Sequence, residues 1–189
     1  MAYIYICANA PNPLNRRTHI KSLLSLGAAT AAPASLWAAQ GKAQRFGYKR
    51  SVSHWTVADL EWDDLCSWLS KEGIEAIDLV GPENWHYLKK YGLDSSMCNG
   101  AELNLVDGMI HEEFEDVLQE RYREMIPRVA KAGYKNLICF SGNRRGISEE
   151  DGLAQAVKTL SPLVKLAEEH GVVLQMELFN SIVDHPDYM

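Results

Sequence analysis

Glu177 is the residue whose type and setting ask most plainly for a chemical explanation. It closes the run Val172-Val173-Leu174-Gln175-Met176, a β-rich segment with one polar member. A carboxylate at the end of such a run loses hydration, at a cost that a cation or hydrogen bonds must compensate. A metal ligand and a general base both meet that requirement. So does an ordinary side chain turned outward or held in a salt bridge. Other polar and aromatic residues follow apolar runs in the same way: His54 and Trp55, Glu83-Asn84-Trp85, Asn99, Ser141 to Arg145, and Asn180. Each has two readings. His54 could donate to a ligand hydroxyl or be a satisfied structural histidine, and Trp55 and Trp85 could offer a flat apolar face or pack in a core. Asn99 and Asn180 suit hydroxyl partners or turns, while Arg144 and Arg145 could grip an anion bidentately or lie on a solvated loop.

The elements that would carry these residues follow from a phrase repeated four times: a charged amphipathic stretch, a glycine, a short β-rich run, then polar residues. It occurs around Gly73, Gly92, Gly133 and Gly171. Each glycine suits the left-handed residue that ends a helix. Helical period places Leu60, Leu65, Cys66 and Leu69 on the buried side of a first helix. Phe114, Val117, Leu118, Met125, Ile126 and Val129 line a third, and Leu153, Ala156, Val157, Leu160, Val164 and Ala167 a fourth. Pro127 and Pro162 predict a kink or a new first turn in the last two. With a leading strand over 49–55, the region from 48 to 181 holds five strands and four helices. Alternation with short connections means parallel strands joined by right-handed crossovers, in either an open doubly wound sheet or an incomplete barrel. No glycine-rich phosphate loop follows the first strand, which favours a partial (β/α)8 barrel of α/β class. In such a fold the carboxyl ends of the strands carry the chemistry.

Residues 1–43 read as an address instead. Arg16-Arg17 heads a weakly apolar, alanine-rich stretch to Leu36, too short and too rich in small residues for a stable membrane span. It resembles a twin-arginine export signal, which implies a periplasmic or secreted protein cleaved somewhere in 37–43. Of 19 basic and 25 acidic residues, four basic and no acidic ones lie in this segment, so residues 44–189 carry a net charge near −10. A body of that charge repels a polyphosphate backbone and argues against nucleic acid as a partner. The four cysteines show no metal-ligand spacing, and three sit in apolar runs where a free thiol acts as a small hydrophobe.

Three stretches together resemble the xylose-isomerase-like barrel superfamily, in particular its hydroxypyruvate isomerase and sugar-phosphate isomerase/epimerase branch. They are 74–85 (IEAIDLVGPENW), 136–143 (NLICFSGN) and 176–181 (MELFNS) with the tail 184–188 (DHPDY). The resemblance implies that Glu177 binds a divalent ion, Mn2+ or Mg2+ foremost, and belongs to a catalytic glutamate pair whose remaining ligands lie beyond Met189. It further implies a small sugar or keto-acid substrate, for which His54, Trp85, Asn99 and Asn180 are the candidate binding residues by side-chain chemistry. Moving a hydrogen between adjacent carbons needs a polarised carbonyl and a proton shuttle, the tasks of such a metal and such carboxylates. A non-catalytic sugar-binding barrel and an abasic-site endonuclease are the alternatives. Stopping after a fifth strand is expected to leave an open edge, with Val172, Leu174 and Met176 exposed and a tendency to form homo-oligomers.

Overall fold

In the computed structural model, which describes residues 48–189, all five expected strands form and pair in parallel. The elements are β1 (Ser51–Ser53), α1 (Trp62–Lys71), β2 (Ala76–Val80), α2 (Trp85–Tyr91), β3 (Asp94–Cys98), α3 (Glu115–Ala132), β4 (Asn136–Cys139), α4 (Glu149–His170) and β5 (Val173–Met176). The export segment lies outside the described residues. Among those residues, no helix is long and apolar enough to cross a membrane.

The sheet order is β1-β2-β3-β4-β5, with every neighbour parallel. A doubly wound sheet reverses its strand order to place helices on both faces. Consecutive right-handed crossovers in one direction keep all helices on one face, so the sheet is an arc of a (β/α) barrel. The four glycines do what their spacing requires. Gly73, Gly92, Gly133 and Gly171 all have φ between 66° and 89°. The residue after each donates back across the helix end: Ile74 to Leu69, Leu93 to Leu88, Tyr134 to Val129 and Val172 to Ala167, at 2.9–3.1 Å. These are Schellman closures, and three of the four donors, Leu93, Tyr134 and Val172, are also buried, so one residue stops the helix and seeds the core.

That core lies between the sheet and the helices, around Leu65, Leu69, Ile77, Tyr122, Leu137 and Leu163. Cys66, Cys98 and Cys139 are free and buried within it. The structure corrects three expectations. The leading strand is only three residues long, and His54–Val57 form a 3-10 turn. Both long helices continue through Pro127 and Pro162, and no new helix begins at either. On α4, Ala167 is buried and Ala156 and Leu160 pack against the core as expected, but Leu153, Val157 and Val164 are exposed, and Gly152, Thr159 and Leu163 complete the buried side; Leu60 and Val117 are exposed too. The edge differs as well. Val172 is buried and Leu174 and Met176 pack against the core, so the apolar β5 residue open to solvent is Val173.

The other face of the sheet is polar. Ser96 Oγ on β3 donates to Asp78 Oδ1 on β2 at 2.8 Å, and Asn136 Nδ2 on β4 donates to the Ser96 carbonyl at 2.7 Å. Gln175 Nε2 on β5 reaches Asn136 Oδ1 at 3.4 Å. One side chain from each of four strands thus forms a row across the concave face. The row matters most between β3 and β4, where backbone register is limited to the single pair Cys98–Leu137.

Candidate functional site

The carboxyl ends of the strands form one rim, and the expected residues distribute along it unevenly. Strand alternation puts Glu177 on the concave side with Gln175, opposite the core-packed Met176. Its backbone N–H donates to the Cys139 carbonyl at 3.0 Å, which ties the start of the following loop to β4. His54 stands at the far end of the rim after β1. Its ring stacks on Trp62, with centroids 4.2 Å apart and planes 9° off parallel, and burial lowers its pKa so that it is neutral near pH 7. His54 and Glu177 thus stand after the two outermost strands of the five, β1 and β5.

Asn99 lies between them, directly after β3. Its Oδ1 is buried and has no hydrogen-bond partner. A buried acceptor left unpaired carries a desolvation penalty that a donor from water or a ligand hydroxyl would relieve. Beside it, a hollow of about 330 Å3 is lined by Pro82, Glu83, Gly100, Met125 and Arg128. The Glu83 carboxylate folds back over Gly81, where a Cβ would come within 2.5 Å of Oε1, so glycine is what allows that carboxylate its position.

The remaining candidates occupy structural posts. Trp85 is buried, donates its indole N–H to the Val80 carbonyl at 2.9 Å and meets Tyr134 edge-on at 5.2 Å. Its ring faces the core. Asn180 is exposed, and its Oδ1 accepts the backbone N–H groups of Ile182 and Val183, an Asx turn. Arg144 pairs with Glu149 at 3.0 Å and Arg145 with Asp107, so both guanidinium groups are engaged without an anion. Hydrogen bonds from Asn104 and then Arg145 hold the Asp107 carboxyl below its ordinary range.

Two features of the rim are not visible in the sequence pattern. The loop after β3 lies against the loop after β4: Met109 and Ile110 N–H donate to the Phe140 and Ser141 carbonyls, and Asn143 N–H to that of Val106. The tail then folds over this pair. Tyr188 is buried, its hydroxyl accepts the Ser141 N–H at 3.0 Å, and Phe179 packs against Phe140, His185 and Tyr188. The second aromatic in 184–188 was the available signal, since a turn has no use for a buried tyrosine. His111, also buried with Nε2 unpartnered, gave no signal in its sequence neighbourhood.

A divalent ion needs several oxygen or nitrogen donors converging within about 2–2.6 Å. Among the described residues no group of three or more His, Cys, Asp or Glu side chains converges in that way. The Glu177 carboxylate supplies at most two of those donors.

Fold and rim together define a partial (β/α)8 barrel with a polar concave face. No protein-family model matches the chain, and no curated protein matches it. Solved structures do. A family 2 AP endonuclease from Brucella melitensis matches with a TM-score of 0.58 at 13% identity, over 69% of this chain and 54% of that one. A D-psicose 3-epimerase crystallised in the presence of D-fructose matches at 0.54 and 12%, over 71% and 54%. A sugar phosphate isomerase/epimerase from Parabacteroides distasonis matches at 0.54 and 12%, over 71% and 52%. At these identities the likeness is one of fold. The chain spans about half the length of the structures it matches.

Proposed function

We propose that this chain is part of an isomerase or epimerase of a small ketose or hydroxy-keto acid such as hydroxypyruvate, exported by the twin-arginine-type segment at 1–43. The observation that carries the reading is the rim itself: a carboxylate, Glu177, after β5, and an unsatisfied buried acceptor, Asn99 Oδ1, after β3, both at the carboxyl ends of the strands. A polyhydroxylated substrate supplies the donors such an acceptor lacks. In this reading Asn99 holds a substrate hydroxyl, Glu177 takes the proton from the carbon beside the carbonyl, and neutral His54 contacts the distal end of the substrate. Barrels of this shape serve both sugar epimerases and an AP endonuclease, so the fold does not choose between them. Charge supports the sugar reading: residues 44–189 hold 25 acidic against 15 basic residues, and Arg144 and Arg145 are both engaged in ion pairs.

Deuterium wash-in tests the reading. The protein is incubated in D2O with D-psicose, D-fructose, D-tagatose or hydroxypyruvate, and the proton beside each carbonyl is followed by NMR. The reading expects exchange with at least one of them and its loss in Glu177→Gln. Saturable sugar binding without exchange would support a non-catalytic sugar-binding barrel, and incision of an abasic-site duplex would support the endonuclease.

A further inference from the structure

Every arginine but one among the described residues has a protein acceptor, from Arg50 with Glu75 to Arg145 with Asp107. Arg128 has none among those residues, and it lines the hollow of about 330 Å3 whose other walls are Pro82, Glu83, Gly100 and Met125. The Glu83 carboxylate in the same hollow is equally unclaimed. It makes no ion pair among the described residues and accepts a single contact, from Asn84 Nδ2 at 3.4 Å, at the limit of a hydrogen bond. An exposed arginine or glutamate alone is ordinary. Opposite charges that share one cavity without meeting leave room between them for a third body.

The walls of the hollow are held in place. Arg121, Met125 and Arg128 form one ridge of α3, at i, i+4 and i+7. Arg121 donates to the Gly100 carbonyl at 3.4 Å and Glu102 Oε2 accepts the Gly100 N–H at 2.7 Å, so that glycine is fixed from both sides. Gly100 has φ 108°, and a Cβ there would come within 3.2 Å of Met125 Cε and 3.5 Å of the Pro82 ring. Gly81 leaves the corresponding space beside the Glu83 carboxylate. Two positions without side chains thus keep the cavity open between the ends of β2 and β3 and the ridge of α3. Met125 belongs to the core between sheet and helices, so the hollow lies on the helix side, behind the rim and apart from the concave face. β1 flanks this pair of strands on one side and β4 and β5 on the other, so neither end of the sheet borders it.

We propose that this hollow binds a free α-amino acid with an apolar side chain. The Arg128 guanidinium takes the carboxylate through paired N–H donors, the Glu83 carboxylate takes the ammonium, and the side chain lies on Met125 and the Pro82 ring. The volume is at the lower end of small-molecule sites, roughly 300–1,000 Å3, which suits a ligand of amino-acid size. Net charge selects the zwitterion. Residues 44–189 hold 25 acidic against 15 basic residues, a field that opposes a free anion but not a ligand whose own charges cancel. Occupancy ties the loops after β2 and β3 to α3, next to Asn99, which precedes Gly100 in the chain.

Titration of the full chain with L-leucine, followed by NMR of 13C-labelled methionine methyl groups, tests this without reference to any activity. The Met125 resonance, assigned by its loss in Met125→Leu, is expected to shift and to saturate in the millimolar range. Leucinamide, which lacks the carboxylate, and 4-methylpentanoate, which lacks the ammonium, should each bind about tenfold more weakly or worse. Glycine should also bind more weakly than leucine, since it leaves Met125 and Pro82 uncovered. Arg128→Gln and Glu83→Gln, both at exposed positions, should each lose the leucine shift with an unchanged circular dichroism spectrum. A Met125 methyl that does not move at about 50 mM leucine, far above a millimolar Kd, overturns the proposal. So does 4-methylpentanoate binding as well as leucine, the mark of a plain anion site on Arg128, or a leucine shift indifferent to Glu83→Gln.

Discussion

Asn136→Ala should loosen the sheet at its thinnest place. β3 and β4 share one backbone-paired position, Cys98–Leu137, and the Asn136 side chain supplies a further link by donating to the Ser96 carbonyl at 2.7 Å. Removing the amide deletes one well-formed hydrogen bond, worth about 1 kcal/mol net, and leaves a part-buried carbonyl whose lost partner adds up to about 1 kcal/mol more. Its second contact, with Gln175 at 3.4 Å, is at the limit of a hydrogen bond and contributes little. The expected total is about 1–2 kcal/mol. For a domain of this size that is a fall in Tm of roughly 3–8 °C. Urea unfolding followed by tryptophan fluorescence measures it, with Gln175→Ala as a companion expected to cost at most about 0.5 kcal/mol. A loss below about 0.5 kcal/mol in Asn136→Ala would mean that backbone pairing alone holds the seam, and the reading of the polar row as a structural tie would fail.

Gly108→Ala would drive its Cβ into the Phe140 carbonyl, and should cost about 2–3 kcal/mol in the same unfolding assay. Burial pushes the Cys66 and Cys98 thiols up to about 11 and Cys139 up to about 12, so in a Cys7→Ser background no thiol should react with a disulfide reagent at pH 8 until urea is added. Burial lowers the pKa of His54, so the stability it contributes is complete above its ordinary value of 6.5 and is lost as pH falls through the lowered folded value. Quenching of Trp62 by the stacked imidazolium should therefore have a midpoint below 6.5 and disappear in His54→Gln. Lysine at both Arg16 and Arg17 should hold the protein in the cytoplasm, and undiminished export of that variant would remove the export reading.

The barrel arc was legible in the sequence because its punctuation is local. A glycine needing positive φ is the same requirement wherever it occurs, and all four stops stand where the repeated phrase put them. The outer face of α4 is where the pattern misleads, because period alone reports an apolar stripe without saying whether anything covers it. Leu163 and Thr159, about a quarter to a third of a turn round the helix, are buried instead, the one in the core and the other against the Met109 carbonyl. Part of the polar row could have been read from alternation, since Asp78 and Gln175 each interrupt an apolar strand. The bonding along the row could not, because strand register links residues as far as 40 positions apart. Trp85 and Asn180 show the limit at the rim. A strand-end aromatic or amide looks the same in sequence whether it faces a ligand, the core or its own turn, and here the partners are Val80 and the turn that begins at Asn180.

The contact between Gly108 and Gly142 has a consequence for how such a molecule can diversify. A Cβ on Gly142 would come within 2.8 Å of the Gly108 amide nitrogen, and one on Gly108 would meet the backbone at Phe140 and Ser141. Barrels usually acquire new specificities by altering one loop at a time, because each loop hangs from its own strand. Here two consecutive loops have fused main chain to main chain and are spliced again by the tail at Tyr188. A residue gained in one displaces the backbone of the other, so both must change in a single step or neither can. Gradual drift is left to the loops after β1 and β2, which share no such splice, and new substrate preferences should arise there first.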